Sequence, residues 1–186
     1  MYGNATIKNN IIFGSWSRSG GGVNLSEDSI LTMRQDALIY GNRGGLAGGI
    51  SAWSGHVYMF DNAAIRNNFG STGGLLIWTN STLNMHGNDV QISGNSAHDN
   101  GGGLVVMGLG TTRFHISGGT IYGANAPLPH LRNMARVNGN ALYVGSSSEI
   151  RVGSFCSEGG FVPCGINTFT IRSFNNTFKV VDGELK

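Results

Sequence analysis

The chain has 186 residues, enough for one domain with a sizeable core, and it combines 31 glycines with only three prolines and 12% charged residues. The glycines follow no triplet period, which excludes a collagen triple helix, and a hydrophobic share of 40% excludes a disordered glycine-rich linker. A formal net charge of +2 without any Lys/Arg cluster argues against a nucleic-acid partner, and no apolar run is long enough for insertion into a membrane as a helix.

From the N-terminus, Met1-Tyr2-Gly3-Asn4 lacks the charged-then-apolar pattern of a secretion signal. Ala5-Thr6-Ile7 and Ile11-Ile12-Phe13 begin directly as part of a coil with no cap, so further coils or another subunit are expected against that end. A repeat then takes over. A glycine pair followed by an apolar residue recurs as Gly21-Gly22-Val23, Gly48-Gly49-Ile50, Gly73-Gly74-Leu75 and Gly102-Gly103-Leu104, with a weaker echo at Gly139-Asn140-Ala141-Leu142. The apolar residues are 27, 25, 29 and 38 positions apart. A second mark, isoleucine followed three positions later by asparagine, recurs at Ile7/Asn10, Ile39/Asn42, Ile65/Asn68 and Ile92/Asn95, and with one extra residue at Ile121/Asn125.

Each unit splits into three short alternating pieces, such as Leu75-Leu76-Ile77, Leu83-Asn84-Met85 and Val90-Gln91-Ile92. In each, the first and third residues point one way and the middle one the other. No stretch keeps a 3.6-residue helical period. Strands this short are stable only when stacked, coil on coil, around a narrow apolar core. The expected fold is therefore all-β: a right-handed single-stranded parallel β-helix of about five coils with three short strands each. Residues 1–186 form one domain in this reading, with regular coils over about 5–152. Core columns are expected at Val23/Ile50/Leu75/Leu104/Leu142, Leu25/Ala52/Ile77/Val106/Val144, Met33/Met59/Met85/Ile116/Val152 and Ile39/Ile65/Ile92/Ile121. The amides of Asn42, Asn68, Asn95 and Asn125, stacked in register, are expected to form a structural ladder up the axis. The glycine pairs supply either positive φ or close backbone approach at the next corner.

Two segments interrupt the pattern. Residues 124–138 form an insertion, which in solenoids maps to a corner loop; it carries His130, Arg132 and Arg136 and is either a functional loop or a tolerated bulge. Residues 153–186 read as an irregular last coil, in which Cys156 and Cys164 either close a short disulfide loop or remain free thiols.

The run from Met85 to Gly103, MHGNDVQISGNSAHDNGGG, resembles the repeats of bacterial surface β-helix proteins. It is similar to adhesin and autotransporter-passenger repeats and to the Gly-Gly-apolar repeats of chlamydial polymorphic outer-membrane proteins, although their recurrent Phe-x-x-Asn motif is not cleanly repeated here. The resemblance covers residues 5–152 and implies a secreted or cell-surface structural role, bacterial in origin, without fixing a ligand. Pectate lyases share the fold, which by itself implies no activity.

Trp53 and Trp78 occupy equivalent positions in successive coils, and with Leu76, Val105 and Tyr143 they form an apolar stripe on an expected solvent face. Such a stripe serves a glycan or protein partner, or it simply covers a corner. A polysaccharide-active enzyme or carbohydrate-binding domain is the alternative, and an enzyme would need converging carboxylates. Asp36, Asn62 and Asp89 share one column, but an uncharged residue separates the two acids. No nucleophile elbow or phosphate loop is present, the histidines lack metal-ligand spacing, and no cofactor is expected. The leading expectation is thus a non-enzymatic structural or adhesive module.

Overall fold

A computed structural model describes residues 1–12, 19–108, 112–145, 149–155, 163–169, 173–174, 178–181 and 184–185, with side chains through 145. The molecule is a parallel β-helix. Its first sheet stacks Val23–Leu25, Ile50–Trp53, Leu75–Trp78, Leu104–Met107 and Leu142–Val144. The second stacks Ile30–Met33, His56–Phe60, Thr82–His86, Arg113–Ile116 and Glu149–Phe155. The third stacks Thr6–Lys8, Leu38–Tyr40, Ala64–Arg66, Gln91–Ser93 and Thr120–Ile121. Register is strict: Val23 pairs Ile50, Ile50 pairs Leu75, Leu75 pairs Leu104 and Leu104 pairs Leu142. Met33, Met59, Met85, Ile116 and Val152 align in the second sheet, and Ile7, Ile39, Ile65, Ile92 and Ile121 in the third. Among the residues whose side chains are described, the inward members of these columns form one continuous buried core, with Ile7 and Val23 partly buried against it. Alternation places them there, because every second side chain of a strand faces the same way.

A fourth, smaller sheet joins these three. Phe69–Gly70, Ser96–Ala97 and Met134–Ala135 pair in parallel, and bridges from Ile11 to Arg43 and from Arg43 to Phe69 carry the pairing into earlier coils. Two-residue strands are too short to show alternation, so the three-strand coil expected from the sequence gains an extra side.

From Val23 to Leu142 the chain makes about four full turns, where about five coils were expected. All five expected strands of the first sheet are present, and five stacked strands span four turns. The segment expected as an irregular last coil is different: Ser173–Phe174 pairs antiparallel with the first sheet, Pro163–Phe169 with the second and Phe178–Val181 with the third. The alternating pattern after Val152 is real β-structure, but the chain reverses across the stack instead of winding round it. Cys156 and the side chain of Cys164 lie outside the described residues.

The two sequence marks form a single structural device. Each ladder amide donates through Nδ2 to the Oδ1 of the next rung: Asn10 to Asn42 (2.8 Å), Asn42 to Asn68 (3.1 Å), Asn68 to Asn95 (3.0 Å) and Asn95 to Asn133 (3.0 Å). The backbone N–H of each lower rung donates to the same oxygen. Nδ2 also reaches back to the isoleucine carbonyl of the preceding coil, as from Asn68 to Ile39 (3.1 Å) and from Asn95 to Ile65 (3.0 Å). The second glycine of each pair lies against this column: a Cβ on Gly74 would sit 2.9 Å from Asn95 Nδ2 and 2.6 Å from Gly103 O. Close approach, not positive φ, explains that glycine, because no side chain fits between a ladder amide and the neighbouring coil's backbone.

The last rung corrects the sequence expectation. Asn133, not Asn125, takes the fifth place, with Nδ2 bonded to Ile92 O (2.8 Å) and Tyr122 O (2.7 Å). Asn125 follows Ile121 at nearly the expected spacing, but it is exposed, and the chain loops out through the insertion before returning to the axis.

Candidate functional site

Outward residues of the first sheet build the site. Trp53 and Trp78 pair in register, and their indoles stack with centroids 4.4 Å apart and an interplanar angle of 21°. The turns below them are pinned by buried Ser81, whose hydroxyl donates to Ala52 O (3.0 Å) and accepts from Gly55 N–H (3.2 Å). Gly108, at φ +118°, leaves room beside Trp78, since a Cβ there would meet the indole ring. Met107 pairs with Trp78 in the next coil and continues the column.

Leu76 and Val105 correct the second sequence expectation. They face away from the coil core, yet they are 0% and 1% exposed. With Ala47 they form a second apolar cluster, onto which Leu46, Trp78, Met107 and Tyr143 pack. The segment between the fourth sheet and the Gly48-Gly49 pair brings Leu46 and Ala47 against the first sheet's outer face, so outward parity there does not mean solvent. The signal lay in Gly44-Gly45-Leu46-Ala47-Gly48-Gly49, an apolar pair held between two glycine pairs.

A cleft of about 180 Å³ opens where this cover stops. Trp78 and Tyr143 border it, with Leu46, Val105 and Met107 supplying further apolar wall. Ser71, Thr72, Asp99 and Asn100 complete the lining. Thr72 Oγ1 is engaged with Leu46 O (3.2 Å). The backbone of Asp99 is fixed by its N–H to Ser71 O (3.0 Å) and by Val137 N–H to its own carbonyl (3.0 Å), which leaves its exposed carboxylate on the rim. The Asn100 side-chain oxygen is shielded from solvent and has no hydrogen-bond partner among the described residues. Sequence reasoning passed over Asn100, which reads as one more turn residue before a glycine run.

The insertion lies elsewhere, at the corner between the third and fourth sheets. Its centre is a short 3-10 turn over Pro129–Leu131, and His130, Arg132 and Arg136 are all exposed. Arg132 Nε donates to Ala126 O (3.1 Å), closing the loop on itself, and Arg136 N–H bonds Ala97 O (3.2 Å). The three basic residues do not line the aromatic cleft.

A second, more polar groove of about 430 Å³ runs along the third sheet, with Asp36, Asn62 and Asp89 on one flank and Arg66 and Gln91 in its lining. Asn62 Nδ2 donates to Asp36 Oδ1 (3.1 Å), and Arg66 Nη2 to Gln91 Oε1 (3.0 Å). Both carboxylates are solvent-exposed. Among the described residues no three His, Cys, Asp or Glu side chains converge as metal ligands, and no helix is long and apolar enough to cross a membrane.

Comparison with protein-family models, curated proteins and solved structures finds no match.

Proposed function

We propose that this β-helix is a non-enzymatic structural or adhesive module, displayed at a bacterial cell surface or secreted, that presents the outer corner of its first sheet to a glycan or protein partner. The observation carrying this reading is the Trp53/Trp78 stack running into an apolar cleft. Two indoles and a tyrosine held by turns and register are preorganised, so little side-chain ordering opposes binding. Aromatic residues of this kind dominate recognition surfaces. The cell-surface location is supported by the likeness of the repeats to bacterial surface β-helix proteins. At the N-terminal end of the stack, the edges of Thr6–Lys8 and Val23–Leu25 support pairing with a further coil or another subunit there.

The test is an array of immobilised glycans and purified extracellular-matrix proteins, probed with the whole chain and with a Trp53→Ala/Trp78→Ala double variant. Retention on at least one ligand, lost in the double variant, is expected. No retention on any of them, or retention that ignores both tryptophans, overturns the reading. A second reading, a polysaccharide-active enzyme, is favoured only by the size and polarity of the third-sheet groove. It requires release of reducing ends or unsaturated products that Asp36→Asn or Asp89→Asn abolishes.

A further inference from the structure

Resting on that reading of the aromatic corner, we infer that the Trp78/Tyr143 cleft holds a single pyranose ring of a neutral glycan and discriminates against acidic sugars. Three observations lead there. The volume, about 180 Å³, is below the range of roughly 300–1,000 Å³ that takes drug-sized ligands, so one ring fits and an extended ligand does not. The walls are aromatic and aliphatic, matching the apolar C–H face of a sugar.

The polar groups decide the class of occupant. Among the described residues lining the cleft, Asp99 is the one that is charged, and its exposed carboxylate can accept from a ring hydroxyl, which a purely hydrocarbon occupant does not offer. A uronate or sialate would bring its carboxylate towards Asp99 with no basic residue among the described residues lining the cleft to offset it, and like charges so placed weaken binding. The same argument favours amino sugars over uronic acids.

The experiment is calorimetric titration of the whole chain with neutral tetrasaccharides (cello-, manno-, galacto- and chito-series) and with tetragalacturonate. At least one neutral series is expected to bind, and tetragalacturonate at least tenfold more weakly. Trp78→Ala lowers neutral affinity by about tenfold or more, checked against an unchanged urea midpoint. Asp99→Asn, on the exposed rim, narrows the gap between neutral and acidic ligands, and Asp36→Asn in the other groove changes nothing. Acidic binding equal to or tighter than neutral binding overturns the inference, as does neutral binding indifferent to Trp78→Ala. A ligand that is a protein or an acidic glycan, yet is lost in Trp78→Ala, sinks this inference and leaves the interaction face standing. Absence of any ligand removes both.

Discussion

Replacing Asn68, the central rung of the amide column, tests how the stack is held together. Asn68→Ala deletes four side-chain hydrogen bonds: Nδ2 to Asn95 Oδ1, Nδ2 to Ile39 O, and the two that Oδ1 accepts from the backbone and side chain of Asn42. Both partner asparagines are buried, so water cannot readily replace the lost groups. At about 1 kcal/mol per bond, and more where a buried group is orphaned, the loss is about 4–6 kcal/mol. That approaches the whole stability of an ordinary domain, about 5–15 kcal/mol. Asn68→Asp keeps the acceptor for Asn42 but cannot donate, and it sets an anion against Asn95 Oδ1 and Ile39 O. It should destabilise at least as much as alanine at neutral pH. Burial raises the pKa of the introduced carboxyl above its unfolded value, so its penalty is fully present above the raised value and falls away as acidification protonates it. Asn10→Ala at the exposed end of the column removes one side-chain bond and should cost about 1 kcal/mol. Urea denaturation followed by circular dichroism reads all three. If Asn68→Ala and Asn10→Ala shift the midpoint equally, or if Asn68→Asp is milder than Asn68→Ala at neutral pH, the column is not what holds the coils in register.

Asn133→Ala should destabilise by about 3 kcal/mol or more, whereas exposed Asn125→Ala should stay within about 1 kcal/mol; the same urea series ranks them, and the reverse order refutes the reassigned rung. Gly74→Ala should cost about 1–3 kcal/mol by overpacking against Gly103 O and Asn95, read as a lowered thermal midpoint. Leu76→Ala should cost about 2–5 kcal/mol as a core truncation, while Leu128→Ala, at a position 51% exposed, should move stability by less than about 0.5 kcal/mol. Equal effects at the two leucines would mean that the second apolar cluster is not packed in solution. The stacked indoles should give a far-ultraviolet exciton couplet that Trp53→Phe abolishes without altering the urea midpoint by more than about 1 kcal/mol.

Legibility differed by physical cause. The core columns could be read residue by residue, because a period of two and a fixed coil length leave one register that buries Ile39, Ile65 and Ile92 together. Three central rungs were read directly, and the fifth was displaced because Asn125 mimics the spacing of a rung while the amide that returns to the axis is Asn133. Leu76 and Val105 were placed on the surface because alternation reports which side of a strand a residue occupies and not what lies over that side. The reversal after Val152 was illegible for a related reason: alternation is identical in parallel and antiparallel strands. At the candidate site, Trp78 and Tyr143 stood out by type and position. Asp99 and Asn100 did not, since only the chain's return over the first sheet brings them to the same cleft.

The rungs sit 32, 26, 27 and 38 residues apart in sequence, yet each donates to the next at 2.8–3.1 Å. Contour length between rungs is therefore free to vary, provided one amide comes back to the axis. The corner just ahead of a rung is a natural grafting position, and the 124–138 segment already shows one such addition accommodated without loss of the amide bond above it. A lineage carrying this scaffold could acquire new surface loops there one coil at a time while the first sheet's aromatic face is left as it is.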